Sequence, residues 1–237
     1  VVSINATDLV DDVALTINAS SGAAGTVNIT ALEGDLDLTN ASSGAITVTL
    51  ANVSDNGLAI TGSNNASTDV SLTGGDAGDT VTVSAMAGNL IATSTLSSNV
   101  SVTGTSDAQT ITGGDGADTI IGVGGADSIT GGAGADTIKF ASSTTFGNAA
   151  KVIGGDGSDI VEITVQDTDI VDTDFANVTT IETLKLTDAS SAVLGTAAHV
   201  ASNGDSTTLT VATGAGATAI TGANNIALNV DADTLAN

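Results

Sequence analysis

Asp118, Asp127 and Asp136 recur nine residues apart, each embedded in glycine: GGDGADTII (113–121), GVGGADSIT (122–130) and GGAGADTIK (131–139). A fourth copy, GGDGSDIVE, spans 154–162 and supplies Asp159. GGDAGDTVT (74–82) is an outlying copy with Asp79, and GTSDAQTIT (104–112) is degenerate, with Gln109 where the aspartate should stand. Carboxylates held among glycines at a fixed interval suit the gripping of a hard cation. Glycine permits positive φ and lets main-chain carbonyls crowd one point. Calcium takes six to eight oxygens at about 2.3 to 2.6 Å. The chain has no cysteine and a single histidine, His199, so thiolate and zinc-type sites are excluded.

One short turn cannot supply that many oxygens. Two turns stacked in successive coils can, with two carboxylates and several carbonyls. The nine-residue unit therefore reads as half a coil. Its sixth-position aspartate points into the turn, its eighth-position apolar residue faces the interior, and a cation sits between each half-coil and the one stacked on it.

The segments fit the pattern G-G-x-G-x-D-x-U-x, with U a large apolar residue, and the stretch resembles the RTX family of calcium-binding β-rolls. The resemblance implies metal ligation by Asp118, Asp127, Asp136, Asp159 and Asp79. It also implies carbonyl ligands from Gly113, Gly122, Gly131 and Gly154, and from the third-position residues Asp115, Gly124, Ala133 and Asp156. Calcium is the implied cofactor. Val123 departs from the second glycine, Gln109 from the aspartate, and FASSTTFGNAAKVI (140–153) interrupts the register, so a handful of sites is expected rather than a long ladder.

The elements that must position these turns are short strands. Alternation of Val, Ile or Leu with Thr, Ser, Asn or Asp runs through 13–19, 26–31, 35–40, 45–51, 69–74, 79–85, 99–104, 159–164, 182–187, 207–213 and 225–232. Only 1% of residues are aromatic (Phe140, Phe146 and Phe175) while 41% are hydrophobic, so the core must be narrow and built from small branched side chains. A sandwich wants larger groups from both sheets; a solenoid with about 18 to 24 residues per coil does not. The fold class is therefore all-β, a right-handed parallel β-helix or β-roll solenoid. It divides into a β-solenoid with irregular turns (1–103), a calcium-binding β-roll (104–162) and a β-solenoid continuation (163–237). The best helix candidate is 190–204. Starting at Val1 with VVSINA already a strand, the chain reads as a mature product or a fragment.

A formal net charge of -24, with three lysines and no arginine, excludes nucleic acid as a partner and favours cations. Five divalent ions would offset about ten of those charges and couple binding to folding. No apolar run is long enough for a membrane span, so no membrane insertion is expected. No G-x-S-x-G elbow, phosphate loop or dinucleotide fingerprint is present, and His199 reads as structural. The aspartates of 167–174 read as a solvated loop or an extra calcium loop. Eight N-x-S/T sequons, at Asn5, Asn18, Asn28, Asn40, Asn52, Asn65, Asn99 and Asn177, read mostly as chance in so polar a chain. Thr-x-Thr pairs such as Thr47/Thr49 and Thr80/Thr82 lack the fixed register an ice-binding face needs.

FANVTTIETLKL (175–186), following the nonapeptides, looks like a segment of large bacterial surface-layer and RTX surface proteins. The expected role is structural rather than enzymatic. The chain reads as a constituent of an extracellular bacterial assembly, an S-layer or a surface filament, secreted to the cell surface and assembled by calcium. Its partners would be calcium ions, copies of itself in a lattice or filament, and cell-surface polysaccharide. The alternative is an RTX adhesin, or a calcium-binding module of a large secreted protein or secreted enzyme.

Overall fold

A computed structural model describes residues 2–5, 15–17, 27–32, 35–39, 41, 44–50, 58–62, 68–74, 80–84, 87–92, 99–122, 124–165, 169–187, 191–195, 197–198, 208–213, 219–222 and 227–231. The protein is a parallel β-solenoid. The chain alternates between a nine-stranded sheet, running from Val2–Asn5 to Val178–Thr179, and an eleven-stranded sheet, running from Leu15–Thr16 to Ala227–Asp231. A third sheet of Ile170–Val171, Ser191–Leu194 and Ala219–Gly222 opens another face late in the chain.

The alternating sequence dictates this arrangement. In a strand, successive side chains point to opposite faces, so every second residue enters the bore. Val102, Ile120, Ile138, Val161, Leu184 and Val211 stack in register through the eleven-stranded sheet, all buried. Leu90, Ile111, Ile129 and Val152 do the same in the nine-stranded sheet. Each such burial stabilises by about 1.5–3 kcal/mol, and a slip of one residue would turn the whole row to solvent. All eleven segments with the alternating pattern contain strands.

The helix expected at 190–204 is corrected in its first part: Ser191–Leu194 is a strand, paired with Ile170–Val171 and Ala219–Gly222. Farther along the same stretch, Ala197 and Ala198 are helical, and a further helix lies at Ser143–Gly147, inside the interruption of the nonapeptide register. Ser142 caps it, accepting from the Thr145 N–H while the Thr145 hydroxyl accepts from the Ser142 N–H. A 3-10 helix follows at Asp172–Phe175. Phe140, Phe146 and Phe175 meet edge to face, with ring centroids 5.3 and 5.1 Å apart. The three rings thus fill the space where the regular stacking of small aliphatic rows is interrupted.

Asp172, in the acidic stretch, accepts from the amides of Gly195, Ala197 and Ala198 in the following coil, and Asp174 accepts from Val171. Those two half-buried carboxylates accept main-chain hydrogen bonds, Asp169 is exposed, and Asp167 lies outside the described residues; no three acidic side chains of the described residues converge there. His199, Asn18, Asn40, Asn52 and Asn65 lie outside the described residues.

Candidate metal centre

Each nonapeptide forms a turn between sheets. Gly113 and Gly114 end the strand Thr110–Gly114, and Asp118 immediately precedes Thr119–Gly122. Since one repeat is half a coil, alternate copies stack. Gly114 registers with Gly132, and Gly132 with Gly155. The turns 113–118, 131–136 and 154–159 therefore form one column, where the chain passes from the nine-stranded to the eleven-stranded sheet. The turns 104–109 and 122–127 form a second column at the return crossing. The four aspartates divide accordingly: Asp118, Asp136 and Asp159 share the first column, and Asp127 stands in the second.

In the first column each sixth-position aspartate is buried, with at most 1% of its surface exposed. One oxygen of each is used by the fold. Asp118 Oδ1 accepts from the Val100 N–H at 2.7 Å, Asp136 Oδ1 from Asp118 at 2.8 Å and Asp159 Oδ1 from Asp136 at 2.8 Å. The other oxygen has no such partner. Among the described residues, Asp118 Oδ2, Asp136 Oδ2 and Asp159 Oδ2 are the buried side-chain polar atoms that meet no hydrogen-bond donor. An unsatisfied buried polar group costs about 1–3 kcal/mol, and more when charged.

Glycine makes room for these oxygens. A Cβ on Gly113 would collide with Asp118 Oδ2 and come within 2.5 Å of the Gly131 carbonyl oxygen. One on Gly131 would collide with Asp136 Oδ2 and come within 2.6 Å of the Gly154 carbonyl. The space left by the missing side chain is thus bordered by a carboxylate oxygen from its own coil and a main-chain carbonyl from the next. Second-position glycines hold φ of 120° at Gly114, 128° at Gly132 and 123° at Gly155, in the region L side chains rarely adopt.

The electrostatics agree. Burial pushes the Asp118 carboxyl up to about 7, against the opposing pull of the Val100 N–H; Asp136 and Asp115 push it further up. Burial likewise raises Asp136 to about 6 and raises Asp159, each opposed by its amide partner. Nothing in the described protein neutralises these carboxylates: the lysine ion pairs formed by Lys139 and Lys185 both end on Glu162. The donors are all oxygen, which suits calcium over softer metals. No three Asp, Glu or His side chains converge among the described residues, so a cation would rely on main-chain carbonyls for much of its shell. The residues present fit calcium on these grounds.

The second column is different. Asp127 is buried and accepts from the Gln109 N–H at 3.0 Å, and burial, opposed by that bond, raises its carboxyl to about 6. Above it, however, Phe140 registers with Gly122, and a Cβ on Gly122 would lie 3.3 Å from the Phe140 ring. An aromatic edge stands where the first column has a carbonyl, because residues 140–150 replace the next glycine turn. Below it, the Gln109 amide occupies the aspartate's place. Its Oε1 accepts from the Thr105 N–H at 2.8 Å and its Nε2 donates to the Gly88 carbonyl at 3.2 Å.

The remaining sequence-derived positions fall as follows. Gly113, Gly122, Gly131 and Gly154 are all buried. Asp115 and Asp156 expose their side chains, while Gly124 and Ala133 are half-buried. The Asp156 carbonyl accepts from the Gly134 N–H at 2.8 Å. Asp79 and Val123 lie outside the described residues. Sequence reasoning missed Thr180 and Glu182, which follow in the first column: Glu182 precedes its strand as Asp159 precedes Ile160–Ile163, and Asp159 donates its N–H to Glu182 Oε2 at 2.7 Å.

Residues 103–138 match the RTX calcium-binding nonapeptide repeat, in four copies. That family binds calcium ions, and the match together with the parallel solenoid supports an RTX-type β-roll. No curated protein and no solved structure matches the chain.

Proposed function

We propose that this chain is a calcium-stabilised structural module, a rod whose first turn column is rigidified by ions lodged between stacked glycine turns. The observation that carries this reading is the row of buried, partnerless Oδ2 atoms on Asp118, Asp136 and Asp159. In such a site the carboxylates and the carbonyls of Gly113, Gly131 and Gly154 hold the cation, which supplies the charge that the buried oxygens lack. Asp127 contributes from the second column, where its environment is poorer in carbonyls. Removing the ions leaves like charges stacked coil on coil, so folding of residues 104–162 is coupled to binding.

The module is structural rather than catalytic, and extracellular. RTX repeats are typical of secreted proteins, and millimolar external calcium fills sites of modest affinity. Within that class we favour a subunit of an S-layer or surface filament over an RTX adhesin or an accessory module of a secreted enzyme. The abundance of small residues and the presence of only three lysines suit a coat exposed to trypsin-like proteases. Circular dichroism in calcium and in excess chelator tests the module. Strand signal that is lost on chelation supports it, and an unchanged spectrum overturns it. Electron microscopy of the same samples tests the assembly: ordered lattices or fibres formed on calcium addition support it, and monodisperse rods favour the adhesin or accessory reading.

A further inference from the structure

The matched repeat ends at residue 138, and the last glycine turn is 154–159. The turn stacked on it, Thr180–Ile181–Glu182, contains no glycine and is shorter. Gly154 is the register neighbour of Thr180 and Asp159 that of Glu182, following from the pairs Ile153 with Thr179 and Ile160 with Thr183. Four residues separate Gly154 from Asp159, and only Ile181 separates Thr180 from Glu182. By the nonapeptide pattern the ladder should stop at Asp159.

The geometry does not stop there. A Cβ on Gly154 would collide with the Thr180 carbonyl oxygen and lie 2.5 Å from Asp159 Oδ2. This is the same pair of donors that borders Gly113 and Gly131. Asp159 is fully buried, and its Oδ2 meets no donor. Thr180 is the one described non-glycine residue with positive φ, 54°. A β-branched residue in that region is strained by roughly 1–3 kcal/mol. The strain is held in place by the Gly155 N–H, which donates to the Thr180 hydroxyl at 2.8 Å. Glu182 takes over the amide-accepting role of the sixth-position aspartate, its extra methylene offsetting the shorter turn.

We propose that Asp159, the Thr180 carbonyl and the Glu182 carboxylate form a further divalent-cation site, a non-consensus rung that closes the calcium column. It rests on the reading of the first column as a calcium ladder. Ile181, 1% exposed, seals the core beside it. With fewer main-chain carbonyls than the glycine rungs, this site keeps more water on the ion and fills last in a titration.

The test uses the full chain, with ions counted by equilibrium dialysis against calcium and by terbium luminescence. Glu182→Gln keeps an oxygen acceptor for the Asp159 amide but removes the charge. It should bind one ion fewer than the wild type, losing the weakest step, with its strand signal in saturating calcium retained. Equal stoichiometry and affinity in the variant would overturn the proposal. If the wild type binds no calcium, the underlying ladder fails instead. Should Glu182→Gln not fold, anomalous scattering from terbium-soaked wild-type crystals decides. A peak within about 2.3 to 2.6 Å of both the Thr180 carbonyl and Asp159 Oδ2 supports the site, and a peak at the glycine rungs with none here overturns it.

Discussion

The amide of Asp136 donates to Asp159 Oδ1 at 2.8 Å, and Asp136 in turn accepts the amide of Asp118 at the same distance. Each carboxylate therefore has two separable duties. Oδ1 ties one coil to the preceding coil, while Oδ2 is left facing a carbonyl. Two substitutions at Asp136 pull these duties apart. Asp136→Asn retains an acceptor and loses the charge, so the metal-free chain should be as stable as the wild type or more so, while stabilisation by calcium falls. Asp136→Ala strands the Asp118 N–H as well and should cost about 1–3 kcal/mol with or without calcium. Urea unfolding followed by circular dichroism, in calcium and in chelator, checks both outcomes.

The raised carboxyls set a sign for pH. Unfolded aspartate titrates near 3.8, whereas folded Asp136 and Asp127 titrate near 6 and Asp118 near 7. Below pH 3.8 both states are protonated and these groups add nothing. Between 3.8 and about 7 the folded state holds more protons than the unfolded, so metal-free stability falls as pH rises and then levels off. Calcium competes with those protons, so its affinity should climb across the same window. The expected result is a urea midpoint in chelator that is higher at pH 5 than at pH 8, with the order reversed in saturating calcium.

Glycines of neighbouring repeats should differ sharply in tolerance. Gly131→Ala would drive a methyl group into Asp136 Oδ2 and the Gly154 carbonyl. Neither can retreat without breaking a rung, so calcium binding and folding should both be lost. Gly124→Ala meets nothing closer than the Ser106 Cα at 3.7 Å and should be nearly silent. Calcium titrations of the two variants by circular dichroism separate them.

Much of this was legible in the sequence because period-two alternation is a direct record of which side chains enter a narrow bore. Val100 and Val102, or Leu184 and Leu186, announce a strand and its inward face together. The nine-residue spacing likewise carries the half-coil and hence the stacked turns. What the sequence hid depends on contacts between coils. Phe140 displaces a glycine carbonyl above Asp127 only because the 140–150 interruption folds as a capped helix. Glu182 replaces an aspartate only because its turn is three residues shorter than the one beneath it. Asp172 is a backbone cap because Gly195, Ala197 and Ala198 arrive beside it a coil later, which no local pattern encodes.

Lys139, Glu162 and Lys185 register across three adjacent strands of the eleven-stranded sheet, with Nζ to carboxylate distances of 3.4 and 3.0 Å. Burial pushes the Glu162 carboxyl up, but the Lys185 hydrogen bond and the two lysine charges outweigh it and hold it below its ordinary value. Both lysines are partly exposed, so either one alone should matter little: Lys139→Met is expected to cost less than about 1 kcal/mol. Glu162→Ala leaves two like charges facing each other across an emptied row and should cost more, with the difference shrinking in high salt. Denaturation of both variants at low and high sodium chloride measures it.

Gln109 shows how a turn can be hydrogen-bonded without a carboxylate. Its amide supplies both signs at once, with Oε1 accepting from Thr105 and Nε2 donating to the Gly88 carbonyl. Gln109→Glu is nearly isosteric but removes the donor and sets a buried carboxylate against the Gly88 carbonyl of the preceding coil. In chelator the variant should lose about 1–3 kcal/mol. In saturating calcium much of that loss should return, since a new ion can take the place of the amide N–H. An equal loss in both conditions would mean that Gln109 serves shape alone, and that a carboxylate beside a carbonyl in these turns is not sufficient to recruit a cation.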